Sequence, residues 1–283
     1  MNIRHMIRIL SAMGVLCLGC AAMGGMAAEA SDRTAQGKTE YRRVFGGEPI
    51  PGSREDPELA AVMKSLIHGD IASQTKLTDT QRQLVTIVTL AANQNQTMLG
   101  RQVDGALRIG VKPLEIREAV YQVAPYIGLP KAFEALKTMN TVFAAHGIAV
   151  PLPPQGTVTD ENRLEKGLAI QTGIYGDRIT QRRTAAPADE RTIQDALSAY
   201  CFGDTYTRKT LDLPMRELLT MTVIASLGGA DAQLKGHIRG NLTVGNDRET
   251  LVGTITELMP YIGFPRTLNA LRAVDEIVPA KAP

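Results

Sequence analysis

Two long stretches of the chain are written twice. GDIASQTKLTDTQRQLVTIVTLAA at 69–92 lies over GDTYTRKTLDLPMRELLTMTVIAS at 203–226, an offset of 134. GVKPLEIREAVYQVAPYIGLPKAFEAL at 110–136 lies over GNDRETLVGTITELMPYIGFPRTLNAL at 245–271, an offset of 135, and PYIG-x-P at 125–130 and 260–265 is the firmest match. A repeat of about 100 residues constrains the whole architecture, because whatever one copy folds into, the other must also form. The Pro-rich VPLPPQGTVT at 150–159 reads as their connection. The expected organisation is a first unit over 31–149, a linker over 150–160 and a second unit over 161–283.

The hydrophobic pattern within each copy is helical. From Arg82 to Ala92, the apolar Leu84, Val85, Ile87, Val88, Leu90 and Ala91 leave few polar interruptions, so this helix must be buried on most sides. Gly128 and Gly263 stop the helices before them, and Pro130 and Pro265 open the next ones. No stretch alternates with a period of two between hairpin turns. The expected fold is all-α, with about five helices per repeat and an extra N-terminal helix near 162–173 in the second. With only 4% aromatic residues, Leu, Ile, Val, Ala and Met must fill the core.

Residues 1–30 are read as a leader rather than as part of the fold. Arg4 and Arg8 precede an apolar run over 9–26, and Ala28-Glu29-Ala30 offers small residues for cleavage. The mature protein is therefore expected in the periplasm or outside the cell, with lipidation at Cys20 as an alternative. Setting aside Arg4, Arg8 and Glu29 takes the 31 basic and 29 acidic side chains to 29 and 28. Such a balance, without basic clusters, gives no electrostatic footprint for nucleic acid. Cys201 alone remains outside the leader, which excludes an intramolecular disulfide and a multi-cysteine zinc site. His5, His68 and His146 stand at no metal-ligand spacing, so no metal is expected.

Two residues of the second copy stand out against this apolar frame. Glu217 lies on LPMRELLTMTVIA, and His237 lies on the next helix, in QLKGHIRGNLTVG. A tight turn at Leu227-Gly228-Gly229 folds the two helices back to back, with Glu217 about 11 residues before it and His237 about 8 after. A carboxylate beside an imidazole fixes the ring's tautomer and lets it take up and return a proton. Bland readings remain open: Glu217 paired with Arg216 or Arg239, and His237 as a satisfied core residue. The first copy bears on the choice, because it holds Gln83 and Gln102 at the matching positions. Glutamine keeps the shape and hydrogen bonding but cannot carry a proton. Both titrating groups are absent together while the apolar frame persists, so the first unit reads as a degenerate copy.

Beyond this frame, the second half resembles the carboxymuconolactone decarboxylase family. The resemblance is carried by NRLEKGLAIQTGIYGDR (162–178), YCFGDTYTRKTLDLPMRELLTMTVIA, QLKGHIRGNLTVG and YIGFPRTLNALRAVDEI. It implies an all-α, alkylhydroperoxidase D-like fold and a ring of six domains, here a homotrimer of two-domain chains. It further implies cofactor-free decarboxylation of a small lactone, with His237 handling the proton and Glu217 as its partner. Arg239, Tyr206 and Asp204 are the implied substrate contacts. Phe202 and Tyr206 occupy the family's Trp positions, and Lys209-Thr210 replaces its loop proline, which leaves the substrate open. The related dithiol peroxidases need Cys-x-x-Cys just before the His. Here those positions are Ala230 and Gln233, or Asn95 and Met98 in the first copy. The expected function is thus an exported acid–base enzyme of carboxy-lyase type, with a non-catalytic binding or scaffold protein as the alternative.

Overall fold

A computed structural model describes the backbone of residues 18–280 and the side chains of residues 32–280. Most of the leader expected over 1–30 therefore lies outside the described residues. The chain is helical, with no strand among the described residues. The first copy comprises α1 (Leu18–Phe45), α2 (Pro57–Lys64), a π-helical segment (Ser65–Ile71), α3 (Asp79–Ala92), α4 (Gln96–Arg108), α5 (Pro113–Ile127) and α6 (Leu129–Ala145). The second comprises α7 (Arg163–Tyr175), α8 (Arg178–Ala185), α9 (Arg191–Ala196), a π-helical segment (Leu197–Tyr206), α10 (Leu213–Leu227), α11 (Asp231–Thr243) and α12 (Arg248–Ile277).

Local chemistry sets the helix boundaries. Thr78 and Gln81 form a reciprocal capping box on α3, and Asp212 accepts the Met215 N–H at 2.9 Å to start α10. Gly128, with φ 86°, separates α5 from α6. Gly263, with φ 74°, breaks α12 at the same place in the repeat. α3 and α10 pack on each other and are buried almost throughout. Leu84, Ile87, Leu218, Leu219 and Met221 belong to a single apolar core drawn from both copies.

One feature departs from the sequence expectation. α7 is not an addition peculiar to the second copy. It crosses the second π segment at backbone contact, where Gly167 faces the Ser198 carbonyl and Gly203 faces the Arg163 carbonyl. The end of α1 crosses the first π segment identically, with Gly37 against Lys64 and Gly69 against the Arg33 carbonyl. Ion pairs Arg163–Asp204 and Arg33–Asp70 clip the two crossings at equivalent points. Hence Arg33, Gly37, Tyr41 and Phe45 correspond to Arg163, Gly167, Gln171 and Tyr175, an offset of 130 instead of 134. The connection holding α8 is four residues longer than its counterpart, and this hid the match.

The copies differ where α3 meets α12. In the second copy the buried Arg216 donates to the Gln122 amide oxygen at 2.8 Å. Its counterpart Arg82 faces Glu257 instead, Nε to Oε2 at 3.7 Å, and neither atom has a hydrogen-bond partner. An ion pair that long does not offset its own desolvation. Burial, only partly opposed by Arg82, raises the Glu257 carboxyl to about 7. The unfolded chain releases this proton near its ordinary value of 4.5 and the folded chain near 7, so between those values stability falls as pH rises. Glu257→Gln, which copies position 122, should leave the melting temperature near pH 4.5 unchanged. At pH 8 it should stabilise the fold by about 2–3 kcal/mol. Parallel melting curves of variant and wild type across this range would refute the assignment.

Candidate active site

α10 and α11 run back to back through the Gly228-Gly229 turn, with φ of 69° and 71°, and bring Glu217 and His237 together. Glu217 Oε2 lies 3.0 Å from His237 Nδ1. The carboxylate is fully buried, whereas 14% of the imidazole side chain reaches solvent. Arg216 turns away to Gln122 and to the carbonyls of Arg208, Lys209 and Leu211, so it does not neutralise Glu217. The other oxygen, Oε1, accepts hydrogen bonds from the Tyr175 hydroxyl at 2.9 Å and the Tyr206 hydroxyl at 2.6 Å. Burial and the Glu217 charge push both phenols far above their ordinary value, so both remain neutral donors. Asn241 donates to the backbone carbonyls of Glu217 and His237 at 2.9 and 2.7 Å, tying the two helices at the level of the pair.

This network settles the imidazole tautomer. Both phenolic protons go to the carboxylate, and the Tyr175 oxygen lies 2.7 Å from His237 Nδ1. Nδ1 is therefore the protonated nitrogen, shared between Glu217 and the Tyr175 oxygen, and Nε2 carries the free lone pair. Gly240 makes the arrangement possible. A Cβ there would sit 2.5 Å from Glu217 Oε2 and 2.8 Å from the Tyr175 ring.

The first copy shows the same frame with the chemistry removed. Gln102 donates to Gln83 at 2.5 Å where His237 and Glu217 meet in the second. Phe45 stands for Tyr175 and Ala72 for Tyr206. Four polar groups are thus replaced together. Tyr175 was not identified in the sequence; its signal was the Phe45 match, hidden by the changed offset.

The other residues expected in the site are placed differently. Tyr206, read as a substrate contact, is buried and serves as the floor under Glu217, also bonding Thr220 at 2.8 Å. Asp204 pairs with Arg163 and faces a cavity of about 190 Å³ shared with Leu129, Phe133, Tyr200 and Arg208, away from the His–Glu pair. Arg239 points to solvent, and its side chain makes no hydrogen bond or ion pair among the described residues. Cys201 is buried, donates its S–H to the Tyr126 hydroxyl at 3.3 Å, and burial pushes its thiol up to about 12. It holds no thiolate nucleophile at neutral pH.

The carboxymuconolactone decarboxylase family model matches residues 57–140 and 191–276, more than half of the chain and once in each copy. The chain belongs to this family. Within it, 4-carboxymuconolactone decarboxylase of Acinetobacter baylyi is 26% identical over 121 residues, covering 42% of this chain and 90% of that protein. Nitrosuccinic acid decarboxylase of Metarhizium robertsii is 37% identical over 76 residues, covering 25% of this chain and about half (53%) of that protein. Glu217, His237 and Tyr206 lie inside the second matched region. Tyr175 lies before it, so the helix that orients the pair falls outside the part matched to the family model.

Proposed function

We propose that this chain is an acid–base enzyme of carboxy-lyase type, acting on a small carboxylated lactone or enolisable acid. The observation that carries the reading is the division of labour in the pair: a fully buried Glu217 holds Nδ1, and the unoccupied Nε2 belongs to a ring that reaches solvent. Both relatives above are named decarboxylases, which supports the reaction class.

In the proposed step the bond between the substrate carbon and its carboxylate breaks, and carbon dioxide leaves. The electron pair stays on carbon as an enolate. Nε2, which first takes a proton from solvent to give the imidazolium, delivers that proton to the carbon, and the ring returns to its neutral, Nδ1-protonated form. Atoms and charge balance without a redox partner or cofactor. Glu217 stabilises the imidazolium through Nδ1, and the tyrosines hold that carboxylate in place. The test is carbon dioxide release from a panel of γ-lactone carboxylates and β-keto acids. At least one should be turned over by wild type. If none is, the enzyme reading gives way to a binding role.

We further propose that the protein is exported and that three chains close into a ring. Leu129 and Phe133 on α6 are 50% and 66% exposed, and Phe264 and Leu268 at the matching positions are 64% and 54% exposed. The same apolar stripe thus occurs twice per chain, which supports self-association. A native mass of three chains, each lacking about 30 residues, is expected; a full-length monomer would contradict both statements.

A further inference from the structure

We propose that Tyr126, which belongs to the first copy, is a positioning residue for His237, so that the working site is a composite of both halves of the chain. The proposal rests on reading His237 as the proton-moving group. The imidazole packs against two tyrosine rings, each nearly perpendicular to it. Tyr175 is at 5.6 Å and 87° between ring planes, and Tyr126 is at 5.9 Å and 82°. Edge-to-face packing at these distances is favourable. One ring comes from α7 of the second copy and the other from the end of α5 in the first. Both edge-to-face contacts favour the ring orientation that keeps Nδ1 on Glu217.

Tyr126 is itself fixed. Its hydroxyl accepts the Cys201 S–H at 3.3 Å and interacts with the Thr220 hydroxyl. Gln122, one turn earlier on α5, donates to the same Thr220 at 3.2 Å. Thr220 bonds Tyr206, which donates to Glu217. α5 therefore enters the site twice, as a wall against the imidazole and as an anchor for the tyrosine under the carboxylate. The repeat supplies an internal reference. Tyr261 matches Tyr126 and lies by Thr86, the match of Thr220. Its side of the molecule has Gln83 and Gln102 in place of the Glu–His pair.

Nuclear magnetic resonance of the full chain labelled with ¹⁵N-histidine tests this without any substrate, because one- and two-bond couplings report which ring nitrogen of His237 carries hydrogen. In wild type the Nδ1-protonated form should dominate at pH 8. Tyr126→Phe keeps the ring and should leave that spectrum unchanged. Tyr126→Leu should mix the two tautomers, with about a 10-fold loss in the population of the held orientation. On any substrate found, kcat should fall by a similar factor while KM moves less than about twofold. Tyr261→Leu should do neither. The proposal is overturned if Tyr126→Leu retains the wild-type His237 spectrum, if Tyr261→Leu disturbs it equally, or if removal of the Tyr126 hydroxyl alone does so. A wild-type spectrum without the Nδ1-protonated form would refute the Glu217–His237 arrangement, a failure distinct from that of Tyr126.

Discussion

His237→Gln is expected to lower turnover by about 10²–10⁴-fold, the usual contribution of a positioned acid–base group, with a melting temperature close to wild type. The first copy shows why the fold should tolerate it. Glutamine already occupies that position at Gln102, in a buried hydrogen bond to Gln83 within the same helix pair. In the variant the new amide can donate to Glu217, so the carboxylate keeps a partner. What disappears is the atom that takes and returns a proton. If the variant releases carbon dioxide from its substrate at the wild-type rate, His237 is not the acid, and the enzyme reading falls with it. Glu217→Gln is the complementary change. It removes the charge that stabilises an imidazolium but keeps the shape.

Gly167→Ala should have the largest effect on stability of any single methyl group added to the protein. The Cβ would lie 2.0 Å from the Ser198 carbonyl oxygen and 2.7 Å from the Gly203 nitrogen, both backbone atoms. No rotamer relieves that overlap, so α7 and the π segment must move apart. Overpacking of this kind costs about 3 kcal/mol or more, which for a chain of this size is a melting-temperature drop of roughly 8 °C. Tyr175 lies two turns further along the same helix, so the displacement should also loosen its bond to Glu217 and reduce activity. Gly173→Ala is the control. It sits on α7 with no atom within 4 Å of a new Cβ, and alanine there should be neutral or stabilising by up to about 1 kcal/mol. Equal melting temperatures for the two variants would show that the crossing is not as close as the geometry states.

The parts legible in the sequence were those written in apolar periodicity or in the comparison of the two copies. The duplicated PYIG-x-P turn and the almost wholly apolar α3 and α10 announced an all-α repeat. Glu217 and His237 could be paired because Gln83 and Gln102 replace them together. Tyr175 is hidden by an insertion: four extra residues after it shift the register, so its match to Phe45 does not show at the offset of the rest of the repeat. Tyr206 reads as a substrate contact, because the sequence gives no sign that 197–206 winds as a π-helix and turns that side chain inward. Asp204 and Arg239 illustrate a different limit. A charged residue near a site in sequence carries no label for its partner, and here Arg163 takes Asp204 while Arg239 faces solvent.

The sharing of the main interior by both copies bears on how this protein can change over time. α3 and α10 cover each other, so cutting the chain at its linker would strip both of their shelter. The half that holds Gln83 and Gln102 therefore cannot be shed without unsealing the half that holds Glu217 and His237. Any constraint on that pair therefore extends to the residues of the other half that share its core.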